Sequence, residues 1–465
     1  MVKTTNKKAI GASFRDPEGF VFEHKGAIFR QINQAGKDNF DLFISSGLYQ
    51  HLVDKKWLIR HKESNQNSAN PHIAYKVINA EKIFFLSYPY EWSFSQLKDA
   101  ALLTLDIQIA AIEHGMSLKD ASAYNVQFDI ESAKPIFIDS LSFQALDVRQ
   151  AWIAYRQFCQ HFLAPLALMA YQDVRLLQLL RSNIDGLALD LTVKLLPKRA
   201  FLSSGIFTHI YLHAKAQKAF ADSTEVRDTR KSSMTKTQHL GILDGLRRSV
   251  STLKQRKDLT EWANYYSETN YDDAAFTIKK NLVRRFIKKV KPASVWDIGG
   301  NTGEFSRIAS RQGIPTISFD IDPNAIEANY ILAKSKDPAN ILPLVIDLNN
   351  PSPNLGWNNE ERSSIYNRGK ADLILALALI HHLAISNNLP LERLASFFSH
   401  LSPWLIIEFV PKSDSQVKRL LSSRKDIFPD YTLDGFQKAF SEYYTFEDSK
   451  AIENSERRLY LMKRK

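Results

Sequence analysis

A glycine-rich segment at residues 295–305 carries the side chains best suited to chemistry in this chain. It joins a short apolar strand to a turn with Gly299, Gly300 and Gly303, and then to the start of a helix. Glycines let the backbone turn sharply and approach a ligand, and the helix N-terminus presents unpaired N–H groups to it. Asp320 lies 21 residues after Gly299 (320 − 299), where an acidic side chain would bind ribose hydroxyls. The pattern predicts a nucleotide pocket.

The order of residues in this loop indicates which nucleotide it suits. From Asp297 to Glu304 the loop reads Asp-x-Gly-Gly-Asn-x-Gly-Glu, which is not the Gly-x-Gly-x-x-Gly order of a dinucleotide site. Its acidic side chains would repel phosphates but suit ribose hydroxyls and a cationic amino-acid head group. The loop resembles motif I of the class I S-adenosylmethionine-dependent methyltransferases, and the resemblance covers residues 258–465.

This resemblance implies an α/β fold, namely a Rossmann-like domain with a seven-stranded sheet whose terminal strand is antiparallel. It also implies S-adenosylmethionine as the cofactor and methyl transfer to an acceptor that the sequence does not identify. Asp320 would bind the ribose hydroxyls and Asp347 would lie near the adenine. The implied cofactor-binding residues are Asp297, Gly299, Gly300, Asn301, Gly303, Glu304, Asp320 and Asp347.

Short apolar segments that end in polar residues predict the strands that bring these side chains to one edge of a parallel sheet. The continuous apolar run at 371–382 is typical of a strand buried on both faces. The other strands predicted in this half are 295–298, a strand that is closed by 319–323, and the strands 342–347, 404–411 and 458–462.

His381 and His382 stand at the end of the apolar run. Either could act as a general base near neutral pH, because an unperturbed imidazole titrates there. The alternative is that they only terminate the strand. Methyl transfer from a sulfonium needs mainly in-line placement of the acceptor, so a base is optional. The two histidines are therefore candidate catalytic residues.

Length and composition limit what the rest of the chain can be. With 465 residues, 44% of them hydrophobic, the sequence predicts two packed domains. Cys159 is the single cysteine, which excludes an intrachain disulfide and a cysteine-based zinc cluster. No run of eighteen apolar residues occurs, and the first ten residues lack the apolar centre of a signal peptide. These features predict no membrane span and a cytoplasmic location.

The formal charge of +11 would suit a polyanionic partner such as nucleic acid. Much of the excess falls within 227–257 and 279–289, with no RNA-binding signature beside it. Solvated helix faces also explain such charge, so a nucleic-acid partner is an alternative that is not favoured. The stretch 221–257 is rich in Ser, Thr, Lys and Arg. It predicts a basic linker with partial helix between domains at 1–220 and 258–465.

A second set of chemistry-bearing residues lies in the N-terminal domain. Asp120 precedes Asn125 by five residues (125 − 120), and Asp139 follows Asn125 by fourteen (139 − 125). One carboxylate would orient a hydroxyl nucleophile, while an amide and a second carboxylate would hold Mg²⁺ against phosphates. With a predicted hairpin at 19–33, a predicted helix at 38–57 and a long helix capped by Ser95, this α+β domain resembles the protein-kinase-like or aminoglycoside-phosphotransferase-like fold. The resemblance implies Asp120 as the catalytic residue, Asn125 and Asp139 as Mg²⁺ ligands, and Mg-ATP as cofactor.

Several residues depart from the kinase pattern. Leu118 and Lys119 replace the usual His and Arg, and the hairpin has no Gly-x-Gly-x-x-Gly. The phosphate-binding lysine of the third strand is missing, although Arg30 could replace it. The alternative is that Asp120 and Asp139 only cap turns. A phosphotransferase that uses Mg-ATP, with a regulatory second domain, is therefore the alternative to a methyltransferase.

Overall fold

The computed structural model of the chain describes residues 9–221, 234–256, 273–336, 339–422, 425–453 and 455–465. These residues form two compact units. The first unit lies within 1–129, 134–257 and 353–363, and the second within 130–133, 258–352 and 364–465. Each unit therefore includes one short segment from the other half of the sequence, which a division at 220 and 258 does not anticipate.

The first unit begins with a four-stranded antiparallel sheet. Its strands are β1 (Gly19–His24), β2 (Ala27–Asn33), β3 (His61–Glu63) and β4 (Ala74–Ala80), in the spatial order β1-β2-β4-β3. β1 and β2 form the predicted hairpin, and Lys25 and Gly26 turn it with positive φ. Two strand pairs follow, β5 (Met116–Leu118) with β8 (Phe143–Ala145) and β6 (Val126–Phe128) with β7 (Pro135–Phe137). The domain is α+β, as expected.

Helices make up most of the remaining first unit. The predicted single helix at 38–57 is broken in two because Gly47 adopts a left-handed conformation, with φ of 80°. The helices are α1 (Lys37–Ser45), α2 (Leu48–Asp54), α3 (Phe94–Glu113), α4 (Tyr155–Phe158), α5 (Ala164–Tyr171), α6 (Leu179–Ser182), α7 (Leu189–Leu195), α8 (Ser204–Ile206), α9 (His213–Ala221) and α10 (Lys236–Thr252).

The long helix α3 begins two residues earlier than expected. Ser93, not Ser95, is its N-cap, because the Ser93 hydroxyl accepts the Gln96 N–H while the Gln96 side chain accepts the Ser93 N–H at 2.9 Å. The whole capping box is buried. It satisfies backbone donors that water cannot reach at this end of the helix.

Helix α10 lies within the stretch predicted as a linker. Its apolar side chains Leu243, Leu246 and Val250 are buried in the first unit. The Lys98 ammonium of α3 donates to the Ser251 carbonyl at 2.7 Å, beyond which the chain leaves the helix. The described part of the predicted linker is therefore a packed helix, since its apolar residues recur at helical spacing. Residues 222–233 and 257 of that prediction lie outside the described chain.

A seven-stranded sheet is the centre of the second unit. Its strands are β9 (Val295–Ile298), β10 (Thr316–Asp320), β11 (Ile341–Val345), β12 (Leu373–Ala376), β13 (Trp404–Phe409), β14 (Tyr444–Ala451) and β15 (Arg458–Arg464). The spatial order is β11-β10-β9-β12-β13-β15-β14. The first five strands in that order are parallel, whereas β15 pairs antiparallel with β13 and with β14. This arrangement confirms the predicted Rossmann-like domain.

Helices cover the faces of this sheet. They are α11 (Asp273–Val290), α12 (Ser306–Ser310), α13 (Pro323–Lys334), α14 (Leu391–Leu401), α15 (Ser415–Leu421) and α16 (Leu433–Ser441). The apolar stripe of α11, with Val283, Phe286 and Ile287, packs with Leu373 and Leu375 of the sheet in one core. Because the parallel strands are covered, their carboxyl ends form the edge at which a ligand can bind.

Two strands differ from the sequence prediction. β12 ends at Ala376 and not at His382, because Ala378 turns with φ of 50° and the chain then becomes helical. β14 was not predicted, since its outer residues are mostly polar and exposed.

Among the described helices, none is both long and apolar enough to cross a membrane.

Truncating the buried face of α10 tests whether this helix is part of the folded first unit. We expect Leu246→Ala to lower the free energy of unfolding by about 2–5 kcal/mol, because Leu246 is fully buried. Ile242→Ala on the same helix, at a half-exposed site, is the matched control and should change it by less than about 1 kcal/mol. Urea denaturation followed by circular dichroism measures both. Equal effects would show that α10 is not packed.

Candidate functional site

The glycine-rich loop is held in place by β10. The N–H groups of Gly299 and Gly300 both donate to the Phe319 carbonyl at 2.9 Å. Gly299, Asn301 and Gly303 have φ of 77°, 48° and 83°, a region that suits glycine and asparagine. The sequence therefore folds the loop against the end of the neighbouring strand, as predicted.

At two positions of the loop, neighbouring side chains leave no room for any residue larger than glycine. A Cβ at Gly300 would collide with the Ser318 hydroxyl, and one at Gly303 would lie 2.5 Å from the Asn329 side-chain amide. Gly300 and Gly303 are therefore also needed for packing within the protein. Ser318 and Asn329, which hydrogen-bond each other at 3.1 Å, were missed because they lie in the middle of a strand and of a helix.

Asp297 and Asp320 lie together beneath the loop. The Asp297 carboxylate accepts the Ser306 hydroxyl at 2.5 Å, at the start of α12. The Asp320 carboxylate accepts the Asn301 N–H at 2.8 Å and the Asp322 N–H at 2.9 Å. Burial is the main cause that raises the pKa of each carboxyl to about 6, and the Asp320 charge raises that of Asp297 further. The structure thus brings the two predicted carboxylates to one place.

The remaining predicted cofactor residues surround this edge of the sheet. Asp347 follows β11, where Ile346 N–H donates to the Asp320 carbonyl at 2.8 Å. Glu304 instead turns to Lys280 of α11, with 2.9 Å between carboxylate and ammonium. Ile321 was not predicted, yet its side chain is 54% exposed directly after Asp320.

His381 and His382 lie on the turn after β12, with ring centroids 4.1 Å apart. His381 is buried, and neither of its ring nitrogens has a hydrogen-bond partner among the described residues. Burial, the His382 ring and nearby cations hold the pKa of His381 well below its usual range. Burial and the Arg457 charge lower the pKa of His382 to about 4. Both imidazoles are therefore neutral at pH 7, and their buried surroundings oppose protonation.

A buried ion-pair group borders the same turn. Glu408 of β13 lies 2.6 Å from the Lys279 ammonium of α11 and 3.6 Å from Arg457, which also pairs with Asp414 at 2.8 Å. Glu408, Lys279 and Arg457 are each at most 3% exposed. A glutamate near the end of an apolar strand was the signal for this group, but its partners are distant in sequence.

The predicted N-terminal residues are also brought together. Asn125 hydrogen-bonds the Asp120 carboxylate and donates to Ser142 at 3.2 Å, and Ser142 donates to Asp139 at 2.8 Å. The Asp139 carboxylate is ion-paired with Arg30. Burial opposes ionisation of Asp139, but Arg30 and these hydrogen bonds lower its pKa overall. Arg30, the expected substitute for the phosphate-binding lysine, is thus paired with the carboxylate that was expected to bind Mg²⁺.

The carboxylates of this N-terminal group are engaged within the protein. Asp120 accepts the Ser122 N–H at 2.9 Å and the Gln157 amide at 2.8 Å, as a turn cap would. Across the described residues, His, Cys, Asp and Glu side chains form no group of three or more that could hold a metal ion. The kinase-like fold and its Mg²⁺ ligands stay a prediction.

Comparison with known proteins identifies the family to which this chain belongs. A family model for a methyltransferase domain matches residues 271–442. The nodulation protein NoeA of Rhizobium meliloti (strain 1021) is 36% identical over 462 residues, covering 98% of this chain and 96% of that protein. The chain belongs to the NoeA family.

Two solved structures align with part of this chain. The PH0226 protein from Pyrococcus horikoshii OT3 has 18% identity and a TM-score of 0.32, covering 45% of this chain and 100% of its own. Magnesium protoporphyrin IX methyltransferase from Synechocystis PCC 6803, with bound SAH, has 16% identity and a TM-score of 0.31, covering 44% and 92%. Within the NoeA family, this chain is an S-adenosylmethionine-dependent methyltransferase, as its domain match and sheet show.

Removing the charge of Asp139 tests whether its ion pair is structural. We expect Asp139→Asn to lower the free energy of unfolding by about 3 kcal/mol at pH 7, because Arg30 loses its partner in a mostly buried site. The folded-state pKa of Asp139 is lowered, so this stabilisation is complete above about pH 4 and is lost as the pH falls through the folded-state value. Urea titrations at several pH values measure it.

The matched control is Asp147→Asn, which removes an exposed carboxylate from the same unit and should leave stability unchanged. Equal stability of Asp139→Asn and wild type, with Mg²⁺ bound by wild type alone, would show instead that the Asp139 carboxylate is free to ligate metal.

Proposed function

We propose that the second unit binds S-adenosylmethionine across the carboxyl ends of β9, β10 and β11 and transfers its methyl group beside the turn after β12. The observation that carries this proposal is the convergence of Asp320 with the loop, through the 2.8 Å bond from Asn301 N–H. Parallel strands place their carboxyl ends at one edge, so both halves of an adenosyl ligand can be held there.

The residues present fit this cofactor. The Asp320 carboxylate, with acceptor positions beyond those used by Asn301 and Asp322, binds the ribose hydroxyls. Ile321 covers one face of the adenine, and Asp347 lies at its edge. The loop of Gly299 to Gly303 approaches the amino-acid part of the cofactor, where acidic side chains suit its ammonium.

The other predicted residues have supporting roles in this proposal. Asp297 holds the start of α12 through Ser306 and lies close enough to Asp320 that the Asp320 charge raises the pKa of Asp297. Glu304 orients Lys280. Asn301 supplies the N–H that aligns Asp320. Their side chains keep the loop in shape, and only some of them contact the cofactor.

The bound cofactor supplies a methyl group on a positively charged sulfur. What the chain must add is placement of the acceptor in line with that group and exclusion of water. His382, less buried than His381, is neutral at pH 7 and is placed to accept a proton from a hydroxyl or amine acceptor. Its lowered pKa makes it a weak base, which suits a reaction in which proton removal is not the difficult step.

The phosphotransferase alternative finds no support. The family model matches only the second half of the chain, and Asp139 is held by Arg30. Asp120 likewise accepts two hydrogen bonds from its own turn and from Gln157. The carboxylates that Mg-ATP chemistry would use in the first unit are therefore engaged within the protein, and methyl transfer by the second unit is the favoured function.

Replacing Asp320 tests the ribose assignment. We expect Asp320→Asn to weaken S-adenosylmethionine binding by about 10- to 100-fold, because hydrogen bonds to a charged carboxylate contribute about 1.5–3 kcal/mol. Isothermal titration calorimetry of the full chain measures it. Asp372→Asn is the matched control, since that carboxylate caps Ala293 N–H at the opposite edge of the sheet and should leave affinity unchanged. Equal affinities of wild type and Asp320→Asn would remove the assignment.

The same titrations repeated between pH 5 and 7 sharpen this test. With the pKa of Asp320 near 6, the ionised acceptor form is gained as the pH rises, so wild-type affinity should increase over this range. Asp320→Asn should show a shallower dependence, because the Asp320 carboxyl no longer titrates and its charge no longer raises the pKa of Asp297. Identical pH profiles would show that Asp320 does not contact the ligand.

A further inference from the structure

We infer that Glu408 is a positioning residue for methyl transfer, because its carboxylate holds the turn that carries His381 and His382. The inference rests on the proposed function of the second unit. It concerns a residue that does not itself contact cofactor or acceptor. The turn follows β12 directly and lies at the edge of the sheet where the loop and Asp320 also lie.

The turn after β12 has an unusual backbone. Ala378 has φ of 50°, in the left-handed region that side chains other than Gly, Asn and Asp rarely adopt. A conformation of this kind persists only where the surroundings impose it. The Ala378 N–H donates to the Glu408 carboxylate at 2.8 Å. This single bond ties the turn to the neighbouring strand β13.

The position of Glu408 is fixed by its own partners. It is fully buried at the end of β13, where it pairs in register with Leu459 of β15. One carboxylate oxygen serves both Ala378 N–H and the Lys279 ammonium, and the other faces Arg457 at 3.6 Å. Arg457 is in turn held by Asp414. The acceptor for Ala378 is therefore part of a rigid group.

A stabilising role alone does not account for this group. Replacing a buried ion pair with apolar residues of similar size is often neutral or stabilising, so the pair by itself gives the fold little. An apolar side chain at position 408 could fill the same space, but it could not accept the Ala378 N–H. What the carboxylate adds is control of the turn. That turn sets the direction in which residues 379–382 leave the strand, and the His382 N–H then bonds the Leu379 carbonyl at 3.0 Å.

Two double variants separate the acceptor from the ion pair. Lys279→Met with Glu408→Gln removes both charges but keeps an oxygen for Ala378 N–H, whereas Lys279→Met with Glu408→Met removes the charges and the acceptor. Arg457 stays paired with Asp414 in both. The two proteins differ at one side chain, an amide in place of a thioether of nearly equal volume, so their melting temperatures should be similar.

The readouts are the histidine ring resonances in nitrogen-15 NMR of the cofactor-free protein, S-adenosylmethionine affinity by calorimetry, and methyl transfer from methyl-labelled cofactor. His381→Gln assigns the His381 signal. Of the two double variants, the Gln variant is Lys279→Met with Glu408→Gln, and the Met variant is Lys279→Met with Glu408→Met. We expect the Gln variant to keep the wild-type His381 signal and a transfer rate within about threefold of wild type. The Met variant should shift the His381 signal and lose at least about tenfold in rate, with cofactor affinity within about threefold of the Gln variant.

Identical His381 signals and rates in the two variants would overturn the positioning role. If neither they nor the wild type bind S-adenosylmethionine, the proposed function fails, whatever the histidine signals show. Should the Met variant not fold, Glu408→Asp takes its place, because it keeps the charge but withdraws the oxygen from Ala378 by one methylene. An unshifted His381 signal in Glu408→Asp would likewise contradict the inference.

Discussion

The loop after β9 keeps its shape because the Asp320 carboxylate accepts the Asn301 N–H while the Phe319 carbonyl accepts two more loop N–H groups. These bonds join the ends of two neighbouring strands and fix one edge of the sheet. The Asp297 carboxylate also accepts the Ser306 hydroxyl, which links the end of β9 to the start of α12. Burial raises the pKa of both carboxyls, so keeping them ionised costs the ligand-free protein free energy. A ligand that offers hydroxyl or ammonium donors relieves this cost.

The other side of the site depends on a different kind of interaction. Glu408, Lys279 and Arg457 form a buried ionic group that joins α11, β13 and β15 to the turn after β12. The glycine-rich loop is thus held mainly by bonds from backbone N–H groups, whereas the turn with the two histidines is held by charged side chains.

Sequence spacing predicted the loop and Asp320 because both depend on local backbone chemistry, with glycines at positive φ and an acidic residue at a strand end. It did not predict that Glu304 turns to Lys280, since spacing does not give side-chain direction. The pairing of Lys279 with Glu408 spans 129 residues (408 − 279) and depends on how α11 packs on the sheet.

The first unit shows the same limits. Asp120, Asn125 and Asp139 were correctly grouped by their spacing, but the Arg30 ion pair that occupies Asp139 comes from a strand about a hundred residues earlier (139 − 30 = 109). The helix at 38–57 was predicted without its break, because the left-handed conformation of Gly47 depends on how α1 and α2 pack. Local pattern identified these groups of residues, and tertiary contacts decided their state.

A crystal structure of the full chain with S-adenosylhomocysteine tests the central claim most directly. We expect at least one ribose hydroxyl oxygen to lie within about 3 Å of the Asp320 carboxylate, with the adenine ring against Ile321. Ligand bound at another edge of the sheet, or an Asp320 carboxylate with no contact to the ribose, would contradict the account.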